Sequence, residues 1–197
     1  MLIKRLSPSR IKVAIIPNEK FKELQIEDRP DWLNVYIKDS NSVQRQYQLG
    51  FCYNAWGEYK KALLYLEKAQ KIEPKYKDLE NELAYSYNAL GDFEKASKIL
   101  ESAIKASPDD CNLLKELSFA QIQLKKIDKA EETCKKAMSI CTDKQMKSEI
   151  AYNLIFQYYQ LKDKNKFKIL ADEISKFTAN GDRILVNLSN MEVDLSK

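Results

Sequence analysis

The sequence predicts an all-α fold: a right-handed α-solenoid of helix–turn–helix units closed by a C-terminal capping helix. Three observations predict it. Residue types recur at a fixed spacing of 34 residues. Each period holds two runs of helical apolar spacing. Gly57, Pro74, Gly91 and Pro108, the breakers, fall between those runs. The composition agrees: the 197 residues are 44% apolar and 31% charged, with only four Gly and five Pro, as in a folded, helix-rich chain.

The repeat is visible in several series. Leu49-Gly50 returns as Leu83-Ala84 and Leu117-Ser118, and Tyr53 returns as Tyr87. Gly57 returns as Gly91, and Tyr59 as Phe93 and Ile127. Ala62, Ala96 and Ala130 form another series, Ala69, Ala103 and Ala137 a further one, and Pro74 returns as Pro108. In 43–56 the apolar places are Val43, Tyr47, Leu49, Gly50, Tyr53 and Trp56. Gly57 ends that run. A second helix carries Tyr59, Ala62, Leu63, Leu66, Ala69 and Ile72 on one face, and Pro74, which lacks an N–H, forbids its continuation. The pattern repeats over 77–90 and 93–106 and stops at Pro108. Small residues at 50, 84 and 118 face small residues at 62, 96 and 130, which lets two helix axes approach closely. One hairpin cannot bury its own apolar faces, so hairpins stack.

These motifs resemble the tetratricopeptide repeat (TPR) family. The resemblance rests on L-G-x-x-Y…G-x-Y-x-x-A…A…P at 49–74 and L-A-x-x-Y…G-x-F-x-x-A…A…P at 83–108. It is weaker over 117–137, where Gln121 replaces the aromatic, Lys125 the Gly and Thr142 the Pro. The repeats fall at 43–76, 77–110 and 111–144, with a degenerate fourth at 148–181 after a three-residue slip in the Thr142–Lys147 connection. Together 43–181 form the solenoid. Residues 182–197 form the capping helix, with Asp182 as its N-cap and Ile184, Leu188, Met191 and Leu195 on one face. Residues 1–42 form an N-terminal arm. Within it, 10–17 read as extended and apolar, and a short helical pattern with Trp32, Leu33, Val35 and Tyr36 covers the first repeat. The arm either packs along the solenoid or hooks another chain.

The resemblance implies function through a concave groove lined by the first helix of each repeat. It places Phe51, Tyr85, Phe119 and Phe156 at one equivalent position. Asn54 and Asn88 lie three residues further on, Tyr47, Asn81, Lys115 and Tyr152 form the row before, and Gln44, Asp78 and Asn112 stand at the helix start. Two readings of the aromatic row stand side by side: packing between repeats, or a lining for a bound segment. The Asn amides, which can donate and accept, favour the second. The basic clamp of chaperone-tail-binding relatives is replaced here by Tyr47, Phe51, Glu82, Asn112 and Glu116, so binding of an acidic chaperone tail is not expected.

Other classes recede. With no His there is no imidazole base or ligand. Four Gly leave no phosphate loop, so neither enzyme activity, metal nor cofactor is expected. The net charge of +4 is not gathered into a basic stripe, and the second repeat is acidic, which argues against nucleic acid. No apolar run approaches the ~20 residues of a membrane span. Cys52, Cys111, Cys134 and Cys141 form no C-x-x-C pair. Cys111 and Cys141 can approach each other in this fold, but scattered cysteines with no evident signal sequence favour free thiols in a cytoplasmic, reducing setting. The expected partner is another protein, bound through an extended or helical segment. The alternative is a scaffold that self-associates as a homo-oligomer through the arm or a solenoid end.

Overall fold

The computed structural model describes Glu23, residues 41–179 and residues 181–196. The expected arm, with its extended stretch at 10–17 and its short helix, lies outside the described residues apart from Glu23, Asn41 and Ser42. Asn180 lies outside them too. Asn41–Lys197 form one compact unit, and among the described residues it is all helical. The helices are α1 (Val43–Ala55), α2 (Tyr59–Ile72), α3 (Leu79–Ala89), α4 (Phe93–Ala106), α5 (Cys111–Gln123), α6 (Ile127–Ile140), α7 (Lys144–Gln160), α8 (Lys164–Ser175) and α9 (Arg183–Ser196). None is long and apolar enough to cross a membrane.

Several helices start where a short side chain serves their free N–H groups. Ser42 Oγ accepts from the Arg45 N–H at 3.2 Å, Asp110 Oδ1 from the Asn112 N–H at 2.9 Å, and Asp143 Oδ1 from the Met146 N–H at 3.0 Å. Hairpin turns need one left-handed residue. Gly57 (φ 77°) and Gly91 (φ 81°) supply it in the first two hairpins, and Lys125 (φ 60°) and Lys162 (φ 57°) take the same conformation in the next two. Without glycine's freedom, those two turns are strained.

The paired helices stack into an α-solenoid. α1 approaches α3, α3 approaches α5, and α5 approaches α7, whereas the backbones of α2, α4, α6 and α8 stay apart, α6 and α8 being linked by the Lys166–Glu131 ion pair. The first helices therefore form the inner wall. Small-on-small packing sets the hairpin spacing: Ala62, Ala84 and Ala96 are fully buried. A Cβ on Gly50 would fall inside the Leu66 side chain. α7 runs 17 residues against 13 for α5, so the slip foreseen in the preceding connection is absorbed by one extra helical turn. α9 packs on α7 and α8 and buries Leu188.

One expectation is corrected. Cys111 and Cys141 form a disulfide, with Cα atoms 5.9 Å apart, and only Cys52 and Cys134 are free. Cys111 opens α5 and Cys141 follows the last residue of α6. Two antiparallel helices of nearly equal length bring those ends together. Burial pushes the Cys134 thiol up to about 12, so that free cysteine stays protonated and unreactive.

Candidate functional site

The inner wall is built on a hydrogen-bonded seam between consecutive first helices. Asn54 Nδ2 on α1 donates to the Glu82 carbonyl (3.1 Å) and to Glu82 Oε2 (2.8 Å) on α3. Ser86 Oγ completes the unit by donating to Asn54 Oδ1 at 2.6 Å. One period later Asn88 Nδ2 donates to the Glu116 carbonyl (3.1 Å) and to Glu116 Oε2 (2.9 Å) on α5. Position 120, the counterpart of Ser86, is Ala, and Asn88 Oδ1 is buried without a donor. Burial holds both carboxyls above the usual carboxylate range, with the Asn hydrogen bonds pulling against it; Glu116 and Asp78 push Glu82 further up.

This seam changes the role of two expected site residues. Asn54 and Asn88 are 4% and 5% exposed, and their amide N–H groups are spent on the neighbouring helix. They orient carboxylates that line the groove. The signal was present in the sequence: an Asn and a Glu both recur every 34 residues, 28 apart.

The aromatic row has a different fate. Phe51 is 50% exposed, Tyr85 38% and Phe156 42%, and Phe119 is half-buried. Each ring meets one neighbouring aromatic ring. Tyr85 packs against Tyr59 (5.9 Å between centroids) and Phe119 against Phe93 (6.0 Å), in edge-to-face contacts with the residue that opens the preceding second helix. Phe51 stacks on Tyr47 at 6.4 Å, and Tyr47 in turn touches Tyr76 at 5.2 Å. Burial, then Glu82 and Asp78, push the Tyr47 hydroxyl up to about 12. Tyr47 is thus a buttress for Phe51.

Three adjoining clefts run along this wall. Phe51, Asn54, Asn81, Tyr85 and Lys115 line the first, of about 250 Å³. Tyr85, Asn88, Lys115, Phe119 and Tyr152 line the second, of about 770 Å³. Phe119 and Phe156 line the third, of about 380 Å³. Tyr47 lines none of them. Glu149 and the capping helix add to the second cleft in a way the sequence reading did not foresee. Asp182, Arg183, Ile184 and Asn187 form its far wall. Asn187 Nδ2 donates to the Tyr152 hydroxyl at 3.3 Å, and the Asp182 carboxylate accepts from the Ile184 N–H at 2.8 Å. α9 therefore both caps the core and extends the groove.

Comparison with known proteins agrees with this architecture. A tetratricopeptide repeat family model matches residues 55–117 and 91–143. A search of curated protein sequences finds no match. Among solved structures, PilF of Pseudomonas aeruginosa is similar with a TM-score of 0.63 at 19% identity, covering 77% of this chain and 69% of that one. MamA of Desulfovibrio magneticus RS-1 is similar with a TM-score of 0.59 at 17% identity, covering 91% and 93%. A tetratricopeptide repeat protein of Parabacteroides merdae is similar with a TM-score of 0.61 at 14% identity, covering 89% and 68%. At such identities the likeness is one of fold. The recurrent motifs, the stacked hairpins and the matching model agree: residues 55–143 match the tetratricopeptide repeat family, and the chain has the fold of such repeat proteins.

Proposed function

We propose that this protein is a non-enzymatic interaction module that holds a segment of a partner protein along its first helices. The half-exposed aromatic row carries the reading. Four rings at one register keep a free face in adjoining clefts, while the fully apolar residues behind them are buried. A bound segment would cover those faces with its own apolar side chains, each worth about 1.5–3 kcal/mol. Ordering a flexible segment removes about 2–5 kcal/mol. Because Asn54 and Asn88 already have partners, the affinity rests on the rings, and micromolar binding follows.

The test is a pull-down and titration with Phe51→Ala/Tyr85→Ala. The double variant should lose partner binding with its helical circular dichroism unchanged. Retained binding in a folded double variant would remove the groove from the account. The disulfide supports an oxidising compartment over the cytoplasmic one that scattered thiols favoured. A second reading, self-association through the first hairpin, draws on Trp56 and Leu64, which are 65% and 60% exposed. Light scattering of the wild type and Trp56→Ala decides it, and a monomer in both disfavours it.

A further inference from the structure

The first two clefts meet at Tyr85, and their charge opposes that of the chain. Glu82, Glu116, Glu149 and Asp182 line them, against Lys115 and Arg183, whereas the chain as a whole carries +4. Two of these carboxylates are fixed in place. Asn54 and Asn88 each donate one hydrogen bond to the carboxylate and one to the backbone carbonyl of Glu82 and Glu116, and both Glu residues line the first cleft with Tyr85. Their charges act on each other. A carboxylate already stripped of part of its water loses less on meeting a cation than a solvated one does. An apolar feature adjoins the charge. Tyr85, 38% exposed, lines both clefts beside the carboxylates.

We propose that this groove selects a partner segment carrying a Lys or Arg next to an apolar anchor, with the cation seated between Glu82 and Glu116 over the Tyr85 ring. The inference rests on the groove reading above and adds the chemistry of the occupant. Apolar side chains of the segment take the free faces of Phe51 in the first cleft and Phe119 in the second. The stem of the basic side chain lies along Tyr85, and its head meets the ring face and the two carboxylates. Lys115, which lines both clefts, is the built-in competitor for the same carboxylates.

The experiment is a fluorescence anisotropy titration of the full chain with three labelled peptides. They share one leucine-containing scaffold and carry Lys, Gln or Glu at the same places. The Lys peptide should bind at least tenfold more tightly than the Gln peptide, and the Glu peptide most weakly. Glu82→Gln/Glu116→Gln should erase that preference while leaving the Gln peptide's affinity within a factor of two. Lys115→Gln, which alters no carboxylate, should tighten the Lys peptide two- to threefold, and it keeps the test open if the double variant fails to fold. Binding of all three peptides without preference overturns the cation assignment and leaves the groove standing. So does a preference that survives in a folded double variant. Binding of none of them overturns the groove reading itself.

Discussion

The first two seams between first helices carry an Asn–Glu clasp and the third does not. At the first, Asn54 meets Glu82 and Ser86. At the second, Asn88 meets Glu116, and Ala120 stands in the third place. At the third, where the register lengthens by three residues, the same places hold Ile122, Asn153 and Gln157. Behind it Ile150 and Leu154 are buried in one continuous cluster with Ala130, Cys141, Phe167 and Leu188. The first two hairpins keep smaller clusters of their own. One backbone geometry therefore accepts a joint with or without the clasp at the same register. The clasp adds little net stability, because each hydrogen bond replaces one to water. It does leave carboxylates standing in the groove. On the proposed reading, the C-terminal half is the anchor and the N-terminal half carries the recognition chemistry.

A charge moved into the C-terminal core should have the largest effect. Ile150→Glu buries a carboxylate with no donor and should cost about 3–5 kcal/mol in urea unfolding. Ile122→Asn/Asn153→Glu instead copies the clasp into the third seam, and its two changes should couple favourably by about 1 kcal/mol or more, measured as a double-mutant cycle. Purely additive costs would show that the Asn–Glu pair is not a transferable unit. Opening the Cys111–Cys141 bond comes next. It closes a segment with a sequence separation of 30, and Cys111→Ser/Cys141→Ser should cost about 3–4 kcal/mol. Most of the loss should fall on α5 to α7, where the large cluster lies. An unchanged urea midpoint would count against the bond as an anchor.

A smaller effect runs the other way. Ala120→Ser copies the first seam into the second, giving Asn88 Oδ1 the donor that Ser86 gives Asn54. It should stabilise the chain by about 0.5–1.5 kcal/mol, and a destabilised Ala120→Ser would mean that the two seams are not equivalent. The smallest effect is read as a pH dependence. The Glu116 carboxyl is held above its ordinary value by burial. A raised carboxyl favours folding below its unfolded pKa, and that contribution is lost as pH rises through the folded value. Glu116→Gln should therefore be more stable than the wild type at neutral pH, with the gap closing as pH falls through that raised value. A gap that widens on acidification would reverse the assignment.

Most of the fold was legible in the sequence because the residues that set it are local and periodic. Gly57, Gly91, Pro74 and Pro108 end helices by their own backbone chemistry, and Ala62 and Ala96 fix axis spacing by size. The aromatic row was legible as a register, but not as a surface. Whether a ring at that register is core or lining depends on the next hairpin's position. The roles of Asn54 and Asn88 were misjudged for a related reason. A mid-helix Asn reads as a free amide until its partner is sought 28 residues away. The disulfide was set aside, although the hairpin geometry allowed Cys111 and Cys141 to approach, because scattered spacing and the lack of an evident signal sequence weighed more. The contribution of α9 to the groove carried no repeat signal, since Asn187 and Arg183 match no earlier series.

The central claim is that a partner's segment lies along the first helices. Amide hydrogen exchange of the full chain, with and without the tightest-binding of the three peptides, tests it most directly. The account predicts added protection in α1, α3 and α5 and at the start of α9, with α2, α4, α6 and α8 unchanged. Protection confined to those second helices would contradict it.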